Sequence, residues 1–269
     1  MDIGNPRIGT HRQAEIVKLL RETGRVTVED LAVRFTVTRQ TIRRDLNDLS
    51  EARLVTRIHG GAMVSSGVAN LAYDARKQVA SPHKRLIGAA AAKLIPNESS
   101  LFINIGTTTE EVARALQGHT GLLVITNNLN VAAELHRNPA ISLIIAGGSV
   151  RTTDGGIVGA STVELIRQFR VDTAVIGTSA IDSDGTLLDF DIREVTVSRA
   201  IIESARRVIL MTDSSKFARA APVRIATLAE IDVLITDRLP AGPIAKLCRT
   251  HEVTVIETGG PTDSDPPTK

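Results

Sequence analysis

At 269 residues, with a formal net charge of +2, 42% hydrophobic and 23% charged residues, the chain reads as an ordinary globular protein, long enough for two domains. Only 2% of it is aromatic, so the core must be built from Val, Ile, Leu and Ala, which suits a parallel sheet covered by helices. The single cysteine, Cys248, excludes an intramolecular disulfide and points to a reducing cytoplasm. The polar start lacks the apolar run of a secretion signal, and no apolar run approaches the roughly 20 residues of a membrane span.

Apolar residues at helical spacing mark a first helix over His11–Thr23, closed by Gly24. A short second helix is expected over Val28–Phe35, capped by Thr27 with Asp30 three residues later. A third runs over Thr38–Ala52. Leu54–Ile58 alternates like a strand, and Gly60-Gly61 offers a hairpin turn into Ala62–Val64. This order is that of a winged helix-turn-helix, assigned to residues 1–66. Those residues carry eleven Lys/Arg against eight Asp/Glu, whereas the remainder is slightly acidic. The basic end of the chain is therefore the candidate partner of nucleic acid.

On a helical wheel Ile42, Leu46 and Leu49 share one face of the third helix, and Gln40, Arg43, Arg44 and Asn47 share the opposite one. Arg pairs with guanine, and Gln and Asn with adenine, through two hydrogen bonds each. Thr38, Arg39 and Thr41 at the helix start suit phosphate, and Arg57 and His59 on the wing suit the backbone or the minor groove. A polar face alone would be only a solvated one. Here the helix order, the short turn, the arginine cluster and the wing coincide, and double-stranded operator DNA becomes the expected partner.

Residues 67–84 are polar, with Pro82, and read as a linker. Beyond it strands (100–105, 122–126, 141–146, 173–177, 207–212, 231–236, 253–257) alternate with helices. The helical stretches are Glu110–Gln117, Val131–Arg137, Thr162–Phe169, Val195–Ala205 and Ile244–His251. That is the pattern of a doubly wound α/β domain over residues 85–258. Residues 259–269 are too polar and Pro-rich to pack and are expected to be disordered.

Gly106-Thr107-Thr108 at a strand-to-helix junction is a ready anion site, with helix-head amides and hydroxyl donors. Polar or flexible residues also end other strands: Thr126-Asn127-Asn128, Gly147-Gly148, Gly177-Thr178-Ser179, and Asp213-Ser-Ser-Lys216. Open α/β sheets bind ligands along this edge, and Lys216 supplies positive charge with Asp213 to orient it or to accept from a hydroxyl. A phosphorylated sugar or polyol is the best ligand class. The histidines are scattered without metal-ligand spacing, and the glycines lack the dinucleotide fingerprint, so neither metal nor cofactor is expected.

The run from Val26 through Gln40-Thr-Ile-Arg-Arg-Asp-Leu46 to Arg57-Ile-His-Gly-Gly-Ala62 resembles the DeoR family of bacterial repressors. Ile125-Thr-Asn-Asn-Leu-Asn-Val-Ala132, Asp154-Gly-Gly-Ile-Val-Gly159, Ile181–Asp191 and Arg199–Arg206 resemble its branch responsive to glycerol 3-phosphate. The resemblance implies that the third helix enters the major groove and that glycerol 3-phosphate weakens DNA binding. It further implies that Gly106-Thr107-Thr108 holds the phosphate, that Glu194, Asp213 and Lys216 border the pocket, and that the chain forms a homodimer or homotetramer. The sensor half is also similar to sugar-phosphate isomerases and CoA-transferases. This leaves an isomerase, or a regulator answering to another phosphosugar, as alternatives.

Overall fold

The computed structural model describes residues 10–23, 25–51, 54–58, 60–64, 73, 77, 81–217 and 219–259. His59, Gly24, Ala52 and the segment 260–269 lie outside them. The chain divides into two compact units, Met1–Leu71 and Ala72–Lys269.

In the first unit, α1 (His11–Thr23), β1 (Arg25–Thr27), α2 (Val28–Arg34) and α3 (Arg39–Glu51) precede β2 (Val55–Ile58) and β3 (Gly61–Val64). Thr27 caps α2, its hydroxyl accepting the Asp30 N–H at 3.1 Å. Thr38 caps α3 in the same way through the Thr41 N–H, satisfying donors that a helix start leaves without partners. Ile16, Leu20, Leu31, Ile42, Leu46 and Leu49 are buried together under the sheet formed by β1, β3 and β2 in that order. Three-residue β1 gave no periodic signal in the sequence and owes its place to pairing with β3. That approach is close: a Cβ on Gly61 would stand 2.1 Å from the Val26 carbonyl oxygen, so only glycine fits.

In the second unit α4 (Ser81–Ala92) corrects the reading of residues 67–84 as linker: the helix starts inside that segment, and Tyr73 and Lys77 are helical as well. There follow β4 (Ser100–Ile103), α5 (Thr109–Ala115), β5 (Leu122–Thr126), α6 (Leu129–Leu135), β6 (Ile141–Ile145), the hairpin β7 (Ser149–Val150) and β8 (Ile157–Val158), and α7 (Ala160–Arg167). Next come β9 (Val171–Gly177), β10 (Ala180–Ile181), β11 (Thr186–Asp189), α8 (Ile192–Glu203), β12 (Ala205–Met211), β13 (Val223–Thr227), β14 (Val233–Thr236), α9 (Pro243–Thr250) and β15 (Thr254–Glu257). The strands and helices expected from the sequence are present with ends shifted by a few residues. The small strands β7, β8, β10, β11 and β13 were not anticipated.

Seven strands form one parallel sheet in the order β15-β14-β12-β9-β4-β5-β6. Successive side chains enter opposite cores: Leu101, Ile103, Val175, Ile209 and Met211 face the layer holding Ile87 of α4, Val112 of α5 and Val131 of α6. Phe102, Ala174, Ile176, Val208 and Leu210 face the layer holding Val163 of α7, Val197 of α8 and Ile244 of α9. Burial on both faces is why these strands read as near-continuous apolar runs. The chain winds from β4 out to β6, then returns to β9 on the other side of β4. The C-terminal ends of β4 and β9 therefore open a crevice where the winding reverses, the place where such sheets bind ligands.

Candidate functional site

The first candidate surface is the outer face of α3. With Ile42 and Leu46 fully buried, Gln40, Arg43, Arg44 and Asn47 are all exposed, as the wheel requires. The buried Asp45 turns inward from the same helix. Its carboxylate accepts from Arg12 Nε at 2.6 Å and Nη2 at 3.3 Å, while Gln13 donates to Asp45 and Asp48. The Arg12 guanidinium is raised in pKa chiefly by that hydrogen bond. Asp45 and Asp48 are thereby engaged with α1, whereas Arg43 and Arg44 form no ion pair among the described residues. Arg39 lies 3.5 Å from Glu29 of α2. Thr38 and Thr41 sit at the helix start, hydroxyl to hydroxyl at 2.9 Å. Arg57 is half-buried on β2. This is a cationic, donor-rich helix face.

The second candidate is the crevice between β4 and β9. Gly106 turns the chain with a φ of 153°, and a Cβ there would stand 3.2 Å from Thr109 Oγ1. Thr109, fully buried, donates to the carbonyls of Asn104 and Gly106, both at 2.7 Å. The third threonine therefore holds the turn, and all three line the cleft. Above them Lys84 of α4, only 3% exposed, donates to Thr107 Oγ1 at 3.0 Å. From the end of β12, Asp213 caps a short turn and accepts from the Ser215 N–H at 3.1 Å and from the Ser215 hydroxyl. Burial opposes its charge, but Lys216, the Ser215 hydrogen bond and Lys84 outweigh it and hold the carboxyl below the usual range. The other carboxylate oxygen, Oδ2, is buried without a hydrogen-bond partner among the described residues.

Asp189 at the end of β11 and Glu194 on α8 complete the wall. Glu194 is set by Arg151, whose Nη1 approaches Glu194 Oε2 at 2.6 Å and Asp191 at 3.3 Å, while its Nη2 binds Asp154. Burial opposes the Arg151 charge, but Glu194 and Asp154 hold its pKa above the ordinary value. Asp191, hydrogen-bonded first of all by Arg193, is brought down to about 2.

The cleft thus unites Gly106, Thr107, Thr108, Glu194, Asp213 and Lys216 of the residues named from sequence. Asn127, Gly147 and Gly148 do not line it. They end β5 and β6, one and two strands from the reversal. The Asn127 amide donates to the Ile157 carbonyl, and Gly147 and Gly148 meet Thr162. Gly177, Thr178 and Ser179, at the end of β9, line it as that strand end suggested, while Lys84 and Asp189 line it without having been given a role from the sequence. Chemically, two ammonium groups and threonine hydroxyls at a helix head make an anion pole, and Asp213 and Asp189 make an acceptor pole for hydroxyls. Among the described residues, no three His, Cys, Asp or Glu side chains are grouped to hold a metal ion, and no helix is long and apolar enough to cross a membrane.

Comparison with known proteins bears on both surfaces. Residues 12–67 match the DeoR-like helix-turn-helix domain and residues 79–238 the DeoR C terminal sensor domain. The chain is 50% identical over 248 residues to the glycerol-3-phosphate regulon repressor of Haemophilus influenzae, covering 92% of this chain and 97% of that one. It is 44% identical over 244 residues to the repressor of the same name from Escherichia coli, covering 91% and 97%. Among solved structures, ribose 5-phosphate isomerase A of Methanocaldococcus jannaschii overlays half of the chain, 53% of its own, at 16% identity and a TM-score of 0.38.

Proposed function

The chain belongs to the DeoR family of helix-turn-helix regulators, and from that premise we propose that it is a sequence-specific transcriptional repressor that glycerol 3-phosphate releases from its operator. α3 enters the major groove, with Gln40, Arg43, Arg44 and Asn47 toward base edges and phosphates, and Thr38, Arg39, Thr41, Arg57 and His59 toward the backbone. The phosphate of the effector sits against Gly106-Thr107-Thr108 under Lys84 and Lys216, and its free hydroxyls face Asp213. The observation that carries this reading is the Lys84–Thr107 contact at 3.0 Å, which places a buried cation over the Gly-Thr-Thr turn at the crevice where the sheet reverses. The protein acts as a homodimer or homotetramer in the cytoplasm, since two-fold operators match two-fold proteins.

Asp213 Oδ2, ionised and without a hydrogen-bond partner among the described residues, favours one second reading: proton transfer on a bound phosphosugar. A sensor is preferred because the relatives matched over both units are repressors. One experiment addresses both. The purified protein is shifted on its upstream DNA by gel mobility and titrated with glycerol 3-phosphate, glycerol and several sugar phosphates, each also assayed for isomerised product. Release by glycerol 3-phosphate without turnover supports the proposal. Release by a different phosphosugar overturns the choice of effector. Turnover, or no shift at all, overturns the sensor reading.

A further inference from the structure

One buried carboxylate serves neither surface described above. Glu110, 3% exposed, stands on α5 directly after the Gly106–Thr109 turn, and its N–H donates to the Gly106 carbonyl. Its two oxygens collect three donors. Oε1 accepts from Asn130 Nδ2 at 3.1 Å and from Asn128 Nδ2 at 3.4 Å, and Oε2 accepts from the Tyr73 hydroxyl at 2.7 Å. Burying a carboxyl group is costly unless its oxygens are hydrogen-bonded. The arrangement therefore has a use beyond filling space. Tyr73 is the chain's only tyrosine and lies two residues past the Leu71/Ala72 boundary between the units. Any change sensed in the second unit must leave it through this stretch of chain or across a surface.

Glu110 is also joined to the far wall of the cleft. Asn130 Nδ2 donates to the Asp154 carbonyl at 2.9 Å, the Asp154 carboxylate binds Arg151, and Arg151 Nη1 holds Glu194 at 2.6 Å. The anion turn reaches Glu110 through the backbone of α5, and the acceptor wall reaches it through Arg151, Asp154 and Asn130. Both routes converge on the same carboxylate, and that carboxylate grips Tyr73.

We infer that the Tyr73–Glu110 hydrogen bond is a coupling contact, through which occupancy of the cleft is passed to the chain segment leading to the DNA-reading unit. The inference rests on the effector reading above, and it assigns Tyr73 a positioning role, not a binding one. Coupling of this kind is a ratio, the operator dissociation constant with saturating effector over that without it. Tyr73→Phe removes one hydroxyl and keeps the ring. The test measures operator binding of the full chain by fluorescence anisotropy with and without glycerol 3-phosphate, and glycerol 3-phosphate binding to the DNA-free protein by calorimetry.

The expected result is a coupling ratio at least fivefold below that of the unsubstituted protein, with effector-free operator affinity and DNA-free effector affinity each within about threefold. Asn130→Ala, which cuts the second route, is expected to lower the ratio too. It serves as the deciding variant if Tyr73→Phe fails to fold by circular dichroism. With Tyr73→Phe/Asn130→Ala the loss is expected to be less than the product of the single losses, because both act through Glu110. A wild-type ratio in Tyr73→Phe overturns the inference, as does a loss of effector affinity in the DNA-free protein, which would make Tyr73 part of the pocket. If the unsubstituted protein is itself not released by any phosphosugar, the effector reading fails and the inference falls with it, an outcome separate from the other two.

Discussion

Replacing Lys84 by Met tests the anion pole with little change in volume. The side chain is 3% exposed, and its Nζ lies 3.0 Å from Thr107 Oγ1, so no water-exposed conformation replaces the lost charge. A hydrogen bond from a buried cation to an anionic group contributes about 1.5–3 kcal/mol. With Lys216 left in place, the dissociation constant for glycerol 3-phosphate should rise about ten- to hundredfold. Glycerol, which has no phosphate, should bind no worse than before. The substitution also removes one of the charges that keep Asp213 ionised. A carboxyl depressed in the folded state contributes stability above its unfolded pKa and loses it as the pH falls through the folded one. Lys84→Met raises the folded value, so its stability deficit is expected to be largest near neutral pH and to shrink or reverse in acid. Calorimetric titration at pH 7 and melting curves from pH 7 to pH 3 measure both effects. A dissociation constant within threefold of the parent would refute the phosphate placement, and a deficit that grows in acid would refute the account of Asp213.

Arg43→Ala and Arg44→Ala should each weaken operator binding about ten- to hundredfold while leaving glycerol 3-phosphate affinity intact. An arginine on phosphate also lowers the salt slope by about one when removed, whereas one on a base relaxes sequence preference instead, so anisotropy across a salt series sorts the two. Gly61→Ala drives a Cβ to 2.1 Å from the Val26 carbonyl and is expected to destabilise the DNA-reading unit by about 2–3 kcal/mol, seen as loss of operator binding with effector binding retained. Asp191 has a folded pKa of about 2 against an ordinary 3.8, so its contribution is complete above about pH 4 and is lost between there and pH 2. Asp191→Asn keeps the helix cap and should flatten that acid limb in melting curves.

The recognition helix was legible because its pattern is local: Ile42, Leu46 and Leu49 fall on one face by spacing alone, and burial confirms it. The sheet strands were legible for the same reason, being apolar runs bounded by turns. Lys84 was hidden. Pro82 and the polar residues around it read as linker, and the Gly88–Ala92 run that packs α4 has too little contrast between polar and apolar faces to announce a helix. Asp189 was hidden differently, since β11 is four residues long and its end is positioned by pairing with β13, which no local window contains. Asn127, Gly147 and Gly148 drew attention because every strand end looks alike in sequence. Strand order alone separates the ends of β4 and β9 from those of β5 and β6, and order is set by packing across the whole sheet.

The charges in the cleft dictate how a ligand must lie. Lys84 and Lys216 face Asp189, Glu194 and Asp213 across one small space, so an anion placed at random would meet as much repulsion as attraction. The repulsion is not uniform. Arg151 engages Glu194 at 2.6 Å together with Asp154 and Asp191, and so offsets the negative charge of that side of the wall. On the proposed effector reading the phosphate lies on the threonine turn, beside the lysines, with the rest of the ligand pointing toward Asp213. There Oδ2 lacks a hydrogen-bond partner among the described residues, and a hydroxyl would supply the donor that a second anionic group cannot. Discrimination on that reading comes as much from what the acceptor pole repels as from what the lysines attract, and a monophosphate bearing free hydroxyls is expected to bind more tightly than bisphosphates and phosphorylated acids.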